Sequence, residues 1–555
     1  MAIASLYPSI NPSLLLDFAN TKQLDPRITF TRTTTATYYD GVTTAVAEQN
    51  LLTYSQAFDN AAWTKTSATA TANSDTAPDG TSTADTIAAS GANGTALQSF
   101  TAVAGDYTFS VYLKRKTGTG NIQIAADNGT YTTKTITSSW ARYDVTQTLT
   151  AGSKSAGIRI VTSGDEVYAW GAQLEQRSSA TAYTATTTQA ITNYIPVLQT
   201  AGAGVARFDH NPTTGESLGL LIEEARTNLC LYSAQLDNAW WEKSNVTITA
   251  NANVSPDGSL TADLVTSTSA NGSLLSSAIT VSASTAYTYS IFVKAGNATS
   301  ITFRLSDGIT GQAQVIANLL TGATTVTDAG VYGSVTASSV QCGNGWWRFT
   351  VTGTQPSGQT NAYVGFYVGN NDTVFIWGAQ LEAGSFATSY IPTTTASATR
   401  NADAASMTGT NFSSWFNYGE MTIYAEATGY EAGSYDIIDL DSGSNTGRIR
   451  TRFASDYQVN QLDASVAQTF SLDGGSVTAK SFAKIAAGLT QNSQALSLNG
   501  GSVATATAPF TTQPAPTTAR IGSNFAGSNY LNGTIKKIAF YPVKATNAQL
   551  QSLTV

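Results

Sequence analysis

Asn50-Leu-Leu-Thr-Tyr-Ser-Gln-Ala-Phe-Asp-Asn-Ala-Ala-Trp63 returns 178 residues later as Asn228-Leu-Cys-Leu-Tyr-Ser-Ala-Gln-Leu-Asp-Asn-Ala-Trp-Trp241. The same offset carries Pro78-Asp79-Gly80 onto Pro256-Asp257-Gly258 and Ala84-Asp85 onto Ala262-Asp263. Further on, Trp140-Ala-Arg-Tyr143 meets Trp346-Trp-Arg-Phe349 at an offset of 206. Trp170-Gly-Ala-Gln-Leu-Glu175 meets Trp377-Gly-Ala-Gln-Leu-Glu382 at 207, as Tyr183 meets Tyr390. A period of this size is a duplicated domain, not a short-period solenoid. The second copy is longer by 29 residues, nearly all between Lys294 and Trp346, where an extra hairpin or long loop is expected. The shared hexapeptide reads as a last core strand. Its Trp fills the sandwich, its Gly permits a bulge or a close approach, its Leu packs inward and its Glu sits at the rim.

Within and beyond the copies, short runs of Thr, Val, Ile, Tyr and Phe alternate with small polar residues. Tyr107-Thr-Phe-Ser-Val-Tyr-Leu-Lys114 and Tyr287-Thr-Tyr-Ser-Ile-Phe-Val-Lys294 are of this kind. Ala362-Tyr-Val-Gly-Phe-Tyr-Val368 and Thr373-Val-Phe-Ile-Trp377 are denser, as inner strands are. Short strands separated by Gly, Asn, Asp and Ser clusters point to β-sandwiches. One short helix is expected at 546–553, with Thr546 as its N-cap.

Over 555 residues, at roughly 100–200 residues per domain, about three to five domains are expected. Apolar residues make up 42%, enough for real cores. Charged residues make up only 12%, and the net charge is −8, so no basic surface is available for nucleic acid. No apolar run is long enough to span a membrane, and Met1-Ala-Ile-Ala-Ser-Leu-Tyr-Pro8 lacks the pattern of a signal peptide. His210 is the single histidine, which leaves Ser-His-Asp, Cys-His and His-metal chemistry almost nothing to work with. It is expected to hydrogen-bond within the turn His210-Asn-Pro-Thr-Thr-Gly215. Cys230 and Cys342 have no metal spacing and read as two buried free thiols.

The domain boundaries follow from the copies. Residues 50–186 and 228–397 are the two sandwiches. Residues 1–49 and 187–227 flank the first and are expected to pair with each other, forming a small split N-terminal β-module into which the first copy is inserted. Residues 398–555 form a larger sandwich of two curved sheets, with an Asn499-Gly500 turn and a closing run Leu531-Asn-Gly-Thr-Ile-Lys-Lys-Ile-Ala-Phe-Tyr-Pro542. The expected fold is therefore all-β throughout.

Arg207-Phe-Asp-His-Asn-Pro-Thr-Thr-Gly-Glu-Ser-Leu-Gly-Leu-Leu-Ile-Glu-Glu-Ala-Arg-Thr-Asn-Leu229 resembles a segment of tailed-bacteriophage head-spike, head-fibre and tail-fibre proteins. The two repeated units are similar to the carbohydrate-binding-module-like jelly rolls of such proteins, and 398–555 is similar to a concanavalin A-like, laminin G-type domain. The resemblance implies a non-enzymatic virion appendage, assembled in the host cytoplasm and exposed on the particle. Its implied partners are copies of itself, often as trimers, phage capsid or tail proteins, and host surface glycans. Neither nucleic acid nor membrane insertion is expected. A tail-spike glycan depolymerase and a bacterial surface glycan-binding protein are the alternatives.

Sugar sites combine aromatic faces with a few amides and carboxylates. Trp240 and Trp347 replace Ala62 and Ala141 of the first copy, each beside a Trp common to both copies. On a strand, adjacent residues face opposite ways, so both become candidate glycan-binding platforms. Packing on the longer loop of the second copy or on a neighbouring subunit is the other role weighed for them. Glu175 and Glu382 are not expected to be catalytic, because no second carboxylate recurs beside them. Asp85 and Asp263 are matched acids, but spacing assembles no set of six oxygens around them. No metal and no cofactor is therefore assigned.

Overall fold

The computed structural model describes residues 11–270, 272–308, 311–430, 435–445, 447–453, 456–462, 468–476, 478–508 and 515–555. The N-terminal octapeptide read above lies outside them. Two compact units are formed. The described residues of Met1–Thr43, Pro196–Ile248 and Val265–Val555 make one, and those of Thr44–Ile195 with Thr249–Leu264 make the other. Described helices are short, at Phe18–Thr21, Thr410–Ser413 and Asn547–Thr554; everything else of regular structure is strand. The last helix is capped as expected, with Thr546 and Gln549 forming a reciprocal capping box. No described helix is long and apolar enough to cross a membrane.

The first copy is a sandwich of two five-stranded antiparallel sheets. One runs Thr132–Lys134, Ile122–Ala125, Gly152–Ile160, Gly94–Ala102, Thr64–Thr66; the other runs Ala141–Leu149, Gly105–Thr117, Glu166–Glu175, Ala84–Ala89, Ala68–Asp75. Between them Phe58, Trp63, Phe109, Ile124, Ile158 and Leu174 are essentially solvent-free. Each such aliphatic or Phe side chain contributes roughly 1.5–3 kcal/mol by leaving water.

The hexapeptide strands show how the repeat is built. Val167 and Ala169 face this core, so Trp170 must face away. Gly171, at φ +64°, bulges the strand, and the ladder slips between Trp170 and Gln173. The slip resets the phase and turns Ala172 and Leu174 inward again. The Trp therefore does not fill the sandwich. It packs on the outer face with Tyr112 and Tyr183, and Trp377 does the same with Phe292 and Tyr390. The Glu is not at the rim. Glu175 and Glu382 are fully buried, each accepting from the backbone N–H and the hydroxyl of a Thr six residues on, Thr181 and Thr388. Burial of a carboxylate is tolerable here because these bonds replace its water.

The opening motif stitches onto the closing one. Asn50 Nδ2 donates to the carbonyls of Ala172 and Thr184, while its Oδ1 accepts from the N–H groups of Leu52 and Leu174. Asn228 repeats the pattern with Ala379, Ile391, Cys230 and Leu381. Both donors and both acceptor sites of the amide are thus used. Arg142 and Arg348 are likewise matched, each bonding a Thr carbonyl and a Ser hydroxyl. The additional length of the second copy becomes two edge strands. Thr324–Asp328 pairs with Gln312–Asn318 in one sheet, and Gly333–Gln341 pairs with Trp346–Thr354 in the other.

The C-terminal sandwich takes in the flanks. Its first sheet runs Arg207–His210, Ser217–Ile222, Gly533–Tyr541, Glu420–Gly429, Ala483–Thr490, Ser493–Leu498, Ala504–Ala506, with Leu14–Asp17 also on Gly533–Tyr541. Its second begins Thr29–Thr31, Ala404–Thr408, Thr518–Ile521, Tyr435–Asp441. The two flanks do meet, through Tyr39 N–H to Asp209 and Arg207 to the Thr37 carbonyl. Their core, however, is shared: Leu14, Leu16, Phe18, Ile28, Leu220 and Ile222 pack with Ile423, Ile438, Ile485 and Phe540. A few short strands cannot bury a core of their own, so the split module is completed by the C-terminal sheets.

Candidate functional site

The hairpin Arg207–His210/Ser217–Ile222 turns through Asn211, whose Oδ1 accepts from the N–H groups of Thr213 and Thr214 at 2.8 and 3.1 Å. Its charged residues point into a dry lattice. Arg207 reaches Asp403 at 2.6 Å and Glu223 at 2.8 Å, Arg32 holds the other Asp403 oxygen at 2.8 Å, and all four side chains have no exposed surface. Arg400 approaches Glu223 at 3.5 Å, and Ser389 adds N–H and O–H donors. Burial alone would raise Glu223, but Arg400, Arg207 and Ser389 outweigh it and hold its carboxyl down at about 2. These charges are structural, since they are consumed by one another.

Beside this lattice lies a cavity of about 520 Å³. Tyr38, Phe386, Tyr430 and Phe482 give it aromatic surface; Asp209, His210, Arg348, Thr428, Lys480 and Thr534 give it polar edges. His210 is 1% exposed. Its Nδ1 lies 3.1 and 2.9 Å from the carbonyl oxygens of Tyr39 and Phe208, so Nδ1 carries the proton and donates. Nε2 is buried and without a partner among the described residues. Gly41, at φ +72°, makes room for the ring, for a Cβ there would lie 2.2 Å from the imidazole. Thr428 and Thr534 are cross-strand neighbours, and both hydroxyls are also buried and unpartnered. Native interiors rarely leave three such atoms together; all three belong to residues that line the cavity but are themselves covered, so a small side-chain rotation is what would turn them to a polar ligand.

Asp209 is the single carboxylate among the lining residues. Burial pushes it up to about 6, against the hydrogen bond from Tyr39 N–H and the charge of Arg207. Arg348 is committed to Thr388 and Ser290 and sits over the Phe292 ring. Burial raises the Cys342 thiol to about 11, so it is not a nucleophile. The arrangement offers neutral hydrogen-bonding groups, aromatic faces, one carboxylate and the Lys480 ammonium, which bonds the Ser338 hydroxyl, and this suits binding of a polyol ring better than acid–base chemistry.

Trp240 and Trp347, the residues singled out by sequence, are elsewhere and both half-buried. Trp240 meets Trp241 edge-on at 4.9 Å. Trp347 shares the parity of Phe349 and Val351, stacks on Phe349 at 6.2 Å, and covers Gly322 in the added segment of the second copy. Asp85 and Asp263 are buried and accept the N–H groups of Asn73 and Asn251. Among the described residues no group of His, Cys, Asp and Glu is placed to hold a metal ion. Thr428, Tyr430 and Thr534 were invisible to sequence reading. Ala427 and Ile535 face the core, so each Thr alternates outward and reads as a wet surface residue.

No protein-family model and no curated protein matches the chain. Among solved structures, the N-terminal CBM22-1–CBM22-2 tandem domain of Paenibacillus barcinonensis Xyn10C aligns at 10% identity and a TM-score of 0.21, over 61% of this chain and 99% of that one. The LG1–3 region of the laminin α2 chain aligns at 8% identity and a TM-score of 0.21, over 82% and 96%.

Proposed function

We propose that this protein is a non-enzymatic, glycan-binding β-sandwich appendage of a tailed-phage virion, and that the 520 Å³ cavity holds a sugar of the host surface. The observation that carries the binding reading is the cavity wall, where His210 Nε2 and the Thr428 and Thr534 hydroxyls are buried without partners beside Tyr38, Tyr430 and Phe386. A pyranose supplies what that wall lacks, namely hydroxyls around an apolar face. Support for the virion reading is the likeness of segment 207–229 to head-spike and fibre proteins, together with a stable, weakly charged β framework. Self-association and attachment to capsid or tail proteins follow from the same reading, as does exposure on the particle.

Thr534→Val tests the cavity. It removes a hydroxyl that has no partner, so melting stays equal or rises, while glycan-array signal on the full chain falls. Binding that survives both Thr534→Val and Thr428→Val would reject the cavity as the sugar site. Immunogold labelling of phage particles tests the location, since label on host cells alone would reject the virion reading. Shortening of host polysaccharide during incubation with the protein would reject the non-enzymatic reading.

A further inference from the structure

One difference between the two sandwiches falls where their backbones match. In the first copy, Leu51, Thr53, Ala62, Gln98, Ser99, Phe100 and Thr101 line a hollow of about 440 Å³. The backbone there is the same in both copies. Asn60 Oδ1 accepts from Ala62 N–H at 2.9 Å, as Asn238 Oδ1 accepts from Trp240 N–H at 2.9 Å. The next residue, Trp63 or Trp241, is buried and donates from Nε1 to the carbonyl of Tyr54 or Tyr232. The ladders agree too, Thr64 lying opposite Leu97 as Glu242 lies opposite Leu275, 178 residues on. What changes is the side chain. At the position of Ala62 the second copy places the Trp240 indole, half-buried against its core, with Ser277 donating to the Trp240 carbonyl.

The polar lining changes with it. Gln98, buried in the first copy, grips Thr53: its Oε1 accepts from Thr53 N–H at 2.6 Å, and its Nε2 donates to the Thr53 carbonyl at 2.9 Å. The second N–H of that amide is left for another acceptor. At the corresponding positions the second copy has Leu231 and Ser276, and Ser276 Oγ is used by Val364 N–H. Phe100 becomes Ala278. The open copy therefore carries an amide, hydroxyls and a half-buried aromatic ring, while the closed copy has lost the amide and Phe and gained the flat bicyclic indole of Trp240 as a plug. No charged residue lines the hollow.

We infer that the first sandwich binds a neutral pyranose residue in this hollow, lying against Phe100 and Ala62 with its edge on Gln98, and that Trp240 closes the equivalent place in the second sandwich. An uncharged lining of amide, hydroxyl and aromatic groups selects this ligand class. The hollow shares no residue with the 520 Å³ cavity.

The test is saturation-transfer NMR on the full chain with a panel of methyl pyranosides of glucose, galactose, mannose, rhamnose and N-acetylglucosamine. Ala62→Trp copies a side chain that the same backbone already accepts, and is expected to weaken binding of the responding sugar at least about tenfold with melting unchanged. Trp240→Ala is expected to add a second, weaker site. Thr101→Arg closes the hollow from an exposed position and gives the same loss if Ala62→Trp fails to fold. Binding unchanged in a folded Ala62→Trp or Thr101→Arg protein overturns the inference, as does silence of the whole panel. Thr534→Val separates the two sites: a signal lost there but kept in Ala62→Trp belongs to the cavity, and it too overturns the hollow.

Discussion

Glu223 and Asp209 lie close in sequence and respond oppositely to pH. Glu223 is held at about 2, below its ordinary 4.5, so its contribution is complete above pH 4.5 and is lost as the pH falls towards 2. Acid unfolding of the parent is therefore expected to steepen across that window, and Glu223→Gln to flatten it in pH-dependent denaturant titrations. Asp209 is raised to about 6 from 3.8, so it favours the native state when protonated, and this contribution is lost as the pH rises through 6. Asp209→Asn, which keeps an acceptor for Tyr39 N–H, is expected to be more stable than the parent above pH 6 and equal to it below pH 4. A gap that widens on acidification would show the reverse shift. Arg207→Ala leaves Glu223 and Asp403 buried with fewer partners, and a loss of about 3–5 kcal/mol in urea unfolding is expected. The residue chemistry was only half legible. His210 was expected to hydrogen-bond within its turn, but it ends a strand and bonds the Tyr39 and Phe208 carbonyls, while Asn211 holds the turn, because the partner of a ring nitrogen is chosen by pairing with a segment about 170 residues away.

Strands and turns were legible because their determinants are neighbours in the chain. Asn499 and Gly500 both adopt positive φ, 47° and 72°, as the central pair of the turn that Gly501 N–H closes onto the Leu498 carbonyl, although the connection from Ser493–Leu498 to Ala504–Ala506 is longer than a two-residue hairpin loop. Gly500→Ala would place a Cβ 3.1 Å from Val555 in a left-handed backbone, costing about 1 kcal/mol by thermal melting. The hexapeptide strand was legible as a strand, but its faces were not. Periodicity alone puts Trp170 in phase with one side; the bulge at Gly171 decides which side holds Leu174. The added segment of the second copy was expected as a hairpin or loop, and it forms an edge strand on each of two sheets, with Gly322 under Trp347.

Within each unit the cores are separate and the thiols are deep. Cys230 and Cys342 are free and buried, and burial pushes both thiols up. A thiol reagent at pH 8 is therefore expected to label neither in the native protein and both after denaturation; fast native labelling of either would mean that its sandwich opens. The larger unit is tied by long-range ion pairs, with Asp403 at the start of the C-terminal sandwich held by Arg32 of the first flank and by Arg207 of the segment after the first copy.

The chain itself set the all-β class, the duplicated domain, the two isolated thiols and the terminal helix cap. Each of these rests on composition, on period, or on residues within a few positions of one another. Folding in three dimensions decided that the flanks complete the C-terminal sheets, that the hexapeptide Trp faces outward and its Glu inward, and that a His, two Thr and several aromatic residues wall one cavity. Those outcomes depend on ladder register and on which surfaces are covered, and both arise from pairings between segments far apart in the sequence.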